Sequence, residues 1–244
     1  AEACAAFVLE RLRRDDGRLL HTYKDGRATV LGYLEDYAYL AEALLALYQA
    51  TFRRRWLEEA RALAQGILEL FYEPQERALY DTGRDQEALV VRPRSLFDNA
   101  TPSGAAVAAG VLLQLAVLAG EERYREVAAG LLRAMREPMA SQPLAFGHWL
   151  TVADFYLSPV KEVAMVGRRD APDTRALLEV VYGRFLPARV VAGFDPAEPQ
   201  EAAGLPLLED KVPLDGKATA YVCEHYACQM PVTDPQALAA QLEA

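Results

Sequence analysis

One stretch of this sequence repeats itself, and the repeated unit is a pair of helices. Ala50-Thr-Phe-Arg-Arg-Arg-Trp56-Leu-Glu-Glu-Ala60 aligns with Leu118-Ala-Gly-Glu-Glu-Arg-Tyr124-Arg-Glu-Val-Ala128, an offset of 68 residues. Leu63 then falls on Leu131, and Ile67 on Met135. Self-similarity of this kind marks a supersecondary unit that buries its apolar face against its neighbours. Upstream of Trp56, the residues Leu34, Tyr37, Ala38, Ala41, Leu44, Leu45 and Tyr48 recur at three- and four-residue spacing and make one apolar stripe. Trp56, Ala60, Leu63, Ala64, Ile67 and Phe71 make a second, with Glu58, Glu59, Arg61 and Gln65 opposite. Val107–Leu118 is apolar almost all round, which predicts burial on most sides. Tyr124, Val127, Ala128, Leu131, Leu132 and Met135 form a further one-sided stripe. Apolar inner helices alternating with amphipathic outer ones predict a mainly α chain built as an α/α toroid. A plain helix bundle satisfies the same periodicity.

Loops with strand-like pieces separate the helix pairs. Gly17–Tyr23 followed by Lys24-Asp-Gly26 reads as a hairpin with an Asp-Gly turn, and Arg77–Thr82 sits in the equivalent place after the next outer helix. After about residue 158 the texture changes. Val160–Gly167 reads as a buried strand, Thr174–Phe185 as a helix capped by Asp173, and Ala188–Gly193 as a second strand. This predicts a parallel pair with a crossover. Residues 195–218 read as loop, Ala218–Cys223 as a third strand, and Thr233-Asp-Pro235 as the start of a last helix. The expected organisation is helical hairpins over residues 1–157 and a small α/β appendage over 158–244.

Charge and cysteine content exclude some functions. The 244 residues carry a net charge of −9, whereas a nucleic-acid binder needs a basic face. The longest apolar run, Val107–Ala119, is interrupted by Gln114 and falls short of the roughly 18 residues that span a bilayer. Three cysteines are too few for a disulfide framework and point to a reducing cytoplasm. Ala1–Glu10 is a helical pattern without a basic leader, and the chain opens mid-pattern without Met, which predicts a piece of something longer. In such a piece the open edge of the toroid would expose apolar helix faces, an expected route to a homodimer.

The loop-to-inner-helix junctions carry the first candidate chemistry. Gly32-Tyr33-Leu34-Glu35-Asp36-Tyr37 and Phe97-Asp98-Asn99-Ala-Thr-Pro-Ser103-Gly104 would face one mouth of a toroid. Glu35, Asp36 and Asp98 are candidate catalytic carboxylates, since paired acids hydrolyse glycosides or move protons when one pKa is raised. Tyr33, Tyr37, Asn99, Ser103 and His148 are candidate substrate-binding residues. The competing reading makes Glu35 and Asp36 first-turn acids on a helix dipole, and Asp98 and Ser103 turn and cap residues. Cys223-Glu-His-Tyr-Ala-Cys228 is a candidate thiol site, whose two thiolates at the end of a strand could form a reversible disulfide; buried, inert cysteines are the competing reading. No metal-ligand spacing, P-loop or nucleophile elbow occurs, so neither a metal nor a cofactor is expected.

Taken together, Leu34-Glu-Asp-Tyr-Ala38, Leu45-Ala-Leu-Tyr48, Asp98-Asn-Ala-Thr-Pro-Ser-Gly104, Val160–Gly167 and Tyr221–Cys228 resemble, in that order, the C-terminal part of the spermatogenesis-associated protein 20 and bacterial YyaL family. The resemblance covers nearly the whole chain. It implies a six-hairpin toroid like those of N-acylglucosamine 2-epimerases and glycosidases, here incomplete, and a thioredoxin-like domain as natural partner. Where the family pattern has Asn after Pro-Ser-Gly, this chain has Ala105. The function expected is binding of a sugar or polyol in the toroid cavity, with glycosidase- or epimerase-like chemistry by carboxylates. The alternative is a non-catalytic interaction domain for the thioredoxin-like partner.

Overall fold

The computed structural model describes residues 1–87, 90–225 and 227–243; Tyr226 of the cysteine motif and Ala244 at the end of the second segment lie outside them. Its elements run α1 (Glu2–Arg11), β1 (Leu20–Lys24), β2 (Arg27–Leu31), α2 (Leu34–Thr51), α3 (Arg54–Leu70), β3 (Tyr72–Glu73) and β4 (Ala78–Leu79). Then come α4 (Gly104–Ala119), α5 (Glu122–Ser141), α6 (Gly147–Leu157), β5 (Lys161–Val166), α7 (Pro172–Tyr182), β6 (Arg189–Phe194), β7 (Thr219–Glu224), β8 (Ala227–Cys228) and α8 (Pro235–Glu243). The chain is mainly α.

The apolar stripes decide how the helices meet. The buried residues of α2 are Leu34, Tyr37, Ala38, Ala41, Leu44, Leu45 and Tyr48, the stripe read from spacing. In α4 the run Ala105–Ala109 is buried throughout, because this helix packs against α2 on one side, α6 on another and α5 behind. The amphipathic α3 packs on α2 and α5 on α4, while α4 also packs on α2 and α6. No helix among the described residues is long and apolar enough to cross a membrane. In the first hairpin Asp25 and Gly26 both take positive φ, 49° and 78°, the turn whose twist matches antiparallel strands.

The sheet order is β6-β5-β7-β8, with β5 and β6 parallel across the α7 crossover and the other pairs antiparallel. Ala164, Val166, Val190, Ala192, Tyr221 and Cys223 join the helical core. The alternate residues Val163, Met165, Val191, Ala220 and Val222 join Leu177 and Val181 of α7 and Leu238 and Leu242 of α8. The sheet is therefore a middle layer covered on both faces, which is why its strands read as continuous apolar runs. Segments 1–157 and 158–244 both contribute to the larger cluster.

The end of α2 locks this layer in place. Gln49 Oε1 accepts the Val191 amide at 3.0 Å, its Nε2 donates to Gln114 Oε1 at 3.1 Å, and its backbone oxygen accepts the Tyr182 hydroxyl at 2.7 Å. Phe52, in the left-handed region at φ 54°, passes the β6 edge and joins the far cluster. Gly193 makes room for it: a Cβ there would lie 2.9 Å from the Phe52 ring and 2.8 Å from the Met165 oxygen.

Two local expectations change. Asp173 does not cap α7; Ala171 holds that position, with Pro172 opening the helix, and Asp173 instead accepts the Ala218 amide at 2.9 Å. The 195–218 loop contains short 3₁₀ turns at Pro199–Ala202 and Pro206–Leu208, because Leu205, Leu207 and Leu208 bury beneath the helices.

Candidate functional site

At the helix junctions, backbone donors use the acids first. Asp36 Oδ2 accepts the Tyr33 amide at 2.8 Å across the first turn of α2, and His21 Nδ1 lies 2.9 Å from the same oxygen. Ser103 caps α4 by accepting the Ala106 amide at 3.2 Å. Asp98 Oδ1 accepts the Ser103 amide and Oδ2 the His148 amide, both at 2.8 Å. One carboxylate thus ties the starts of α4 and α6 together, and Trp149 Nε1, donating to the Leu96 oxygen at 3.1 Å, fixes the same turn. Tyr37 is only 2% exposed, and its hydroxyl accepts from Arg18 Nη1 at 2.8 Å and from the Leu19 amide at 2.9 Å, so neither ring nor hydroxyl faces a ligand. Asn99 is exposed, and its amide closes a turn onto the Thr101 oxygen at 3.0 Å.

The two junctions do meet. A Cβ on Gly104 would lie 3.0 Å from Glu35 Cα, so only glycine lets the starts of α4 and α2 touch. Tyr33 and Glu35 line a cavity of 290 Å³ there with Asp81 and Ser95. Asp81 already accepts the Ser95 amide and hydroxyl at 2.9 and 2.7 Å. Neither Asp36 nor Asp98 is among the residues lining this cavity.

A larger cleft of 530 Å³ opens elsewhere, between α2, α4 and α6. Glu42 and Gln49 come from α2, Gly110 and Gln114 from α4, and His148, Thr151 and Phe155 from α6. Spacings of seven, four, and three and seven residues put each set on one helical face. Arg184 from the α7–β6 connection and Arg189 at the start of β6 close the cleft. The Arg189 guanidinium is held by the Leu186 oxygen at 3.3 Å and stacks 5.2 Å from the Tyr182 ring centroid. Tyr182 is 41% exposed, but local desolvation of its phenol, partly offset by Arg189, pushes it up to about 12, and its hydroxyl donates to the Gln49 oxygen. Small-ligand sites occupy roughly 300–1,000 Å³, a range that takes in this cleft and leaves the junction cavity just below it. Sequence reasoning reached His148 but missed Glu42, Gln49, Gln114, Arg184 and Arg189. The available signal was Gln114, the polar break in the apolar run of α4.

The cysteines are joined. Cys223 and Cys228 face each other across β7 and β8 and form a disulfide. Cys223 is 1% exposed, whereas Cys228 is open to solvent with Lys211 Nζ 3.3 Å from its sulfur. The reading of two buried, inert thiols is thereby corrected: a hairpin brings an exposed residue opposite a core one. Cys4 is free and exposed on α1.

No family model matches the chain. Spermatogenesis-associated protein 20 of Homo sapiens is 33% identical over 230 residues, covering 90% of this chain and 29% of that protein. The Mus musculus protein of the same name is 32% identical over 207 residues, 84% of this chain and 26% of its own length. An uncharacterized protein of Caenorhabditis elegans is 25% identical over 250 residues. The chain spans less than a third of the length of the human and mouse relatives.

Proposed function

The chain belongs to the spermatogenesis-associated protein 20 family, and from that premise we propose that it binds a small polyhydroxylated ligand, a sugar or polyol, in the cleft between α2, α4 and α6. One observation carries this reading: amide, carboxylate, imidazole and guanidinium groups from α2, α4 and α6, the α7–β6 connection and the start of β6 converge on one 530 Å³ space. Hydroxyl-rich ligands need such paired donors and acceptors, and an aromatic wall such as Phe155 suits the apolar face of a sugar ring. The cleft is taken as the inner surface of an incomplete α/α toroid, the arrangement that alternating inner and outer helices support. Glu42 and His148 are its proton-transfer groups, and any glycosidase- or epimerase-like step would use them. Asp36 and Asp98 position helices in this reading. A reducing cytoplasm remains part of this reading: cysteines are few, and a disulfide such as Cys223–Cys228 would there be transient or redox-sensing.

The test is calorimetric titration with a panel of neutral sugars, amino sugars, uronic acids and polyols, on the parent chain and on Glu42→Gln and Gln114→Leu. A ligand that binds the parent and is lost from both variants supports the site. Binding that survives both substitutions, or no binding by a folded chain, moves the assignment to the non-catalytic interaction domain for a thioredoxin-like partner.

A further inference from the structure

We propose that the Cys223–Cys228 pair is an exchangeable disulfide, in which Cys228 is the sulfur attacked by an incoming thiol and Lys211 holds its thiolate once the bond has opened. Three independent observations carry this. The two residues are direct cross-strand partners at the β7–β8 end of the sheet, so the bond closes a hairpin of five-residue separation and staples no distant segments. A loop this short gains less from constraining the unfolded chain than a bond between distant segments does, so stability gives the bond a weaker rationale. The pair is also asymmetric: Cys223 lies in the core at 1% exposure, and Cys228 faces solvent. Finally, the Lys211 ammonium sits 3.3 Å from Cys228 Sγ, itself held 5.0 Å from the Tyr221 ring centroid. A cation beside an accessible sulfur favours the thiolate, the species that leaves and attacks in exchange.

The chemistry balances with a thiol donor as reductant. A donor thiolate attacks Cys228 Sγ; a new sulfur–sulfur bond forms, the Cys223–Cys228 bond breaks, and Cys223 leaves and takes a proton from water. A second donor thiolate attacks the donor sulfur of the mixed disulfide and releases Cys228 as a thiolate against Lys211. Two donor thiols are oxidised to a disulfide, and the chain gains two electrons. In the reverse direction the buried Cys223 resolves the mixed disulfide on Cys228, which prevents the intermediate from accumulating. In a reducing compartment, disulfides of this kind are transient or redox-sensing.

The experiment equilibrates a Cys4→Ser background with glutathione redox buffers, blocks free thiols with N-ethylmaleimide, and counts labelled cysteines by mass spectrometry while circular dichroism follows the fold. The expected result is a reversible two-electron transition with the helical signal intact. Reduction only where the helical signal collapses, or a pair that stays oxidised or stays reduced at every ratio, overturns the proposal. Single variants assign the roles. With oxidised glutathione, Cys223→Ser should accumulate an adduct on Cys228, and Cys228→Ser should accumulate none on Cys223. Lys211→Met should slow alkylation of reduced Cys228 about tenfold by removing the adjacent cation, while in chains that keep Cys4 that residue alkylates at the same rate with and without the substitution. Equal adducts on both cysteines, or no effect of Lys211→Met, would remove the assigned asymmetry.

Discussion

An acid at the mouth of a helical repeat can orient the helices or act on a ligand, and its hydrogen-bond partners decide between the two. Both oxygens of Asp98 accept backbone amides, one from Ser103 and one from His148. Removing the side chain leaves two helix-start donors without their partner. Asp98→Ala should therefore cost about 1–3 kcal/mol in urea denaturation, the desolvation cost of such groups. The exposed neighbour Asn99→Ala should stay within about 0.5 kcal/mol of the parent. Equal effects at the two positions would show that the bridge contributes nothing. The sequence around Asp98 shows a turn, a cap and an acid. It does not show that the second oxygen reaches His148, which lies 50 residues further on. Local spacing reveals a cap within its own helix, as at Ser103, and is blind to one shared between two helices.

At the scale of elements, legibility follows periodicity. The α2 stripe emerged residue for residue, because a one-sided helix repeats its chemistry every three or four positions. The crossover pair β5 and β6 emerged from unbroken apolar runs, since a strand covered on both faces has no polar side. The cleft did not emerge. Glu42 and Gln49 sit on the rim of a stripe, where spacing separates apolar from polar without telling open solvent from a groove. Asp173 shows how an element can be seen and its fastening missed. Its carboxylate is held below the ordinary range first by the Ala218 amide and then by that of Thr174, so it joins α7 to the start of β7. A depressed folded-state pKa adds stability that is complete above the unfolded value, near pH 4, and fades as pH falls through the folded one. Asp173→Asn should therefore lower the melting temperature at pH 7 and change it progressively less on titrating below about pH 4. A difference between the two chains that is independent of pH would contradict this.

For the molecule as a whole, one apolar cluster contains both the faces of α2, α4 and α6 and one face of the sheet. Layers that share a core unfold together. Fluorescence of Trp56 and Trp149, both in the helical part, should follow the same denaturant midpoint as amide exchange in β5. Separate midpoints would mean that the layers are energetically independent. Gln49→Leu should lower the unfolding free energy by about 1–3 kcal/mol and bring the common midpoint down with it, because the Val191 amide then loses its acceptor inside the protein. That same contact has a consequence for crowded solutions. A sheet grows by recruiting strands at its margins, and Val-rich segments such as β5 and β6 are the kind that template such growth. Here Gln49 occupies the amide at the middle of the β6 margin and Phe52 lies over Gly193, while β8, at the other margin, is two residues long and tethered. Neither margin offers an incoming strand an open run of backbone to copy, so the Val-rich strands of one molecule are withheld from those of the next for as long as α2 stays seated.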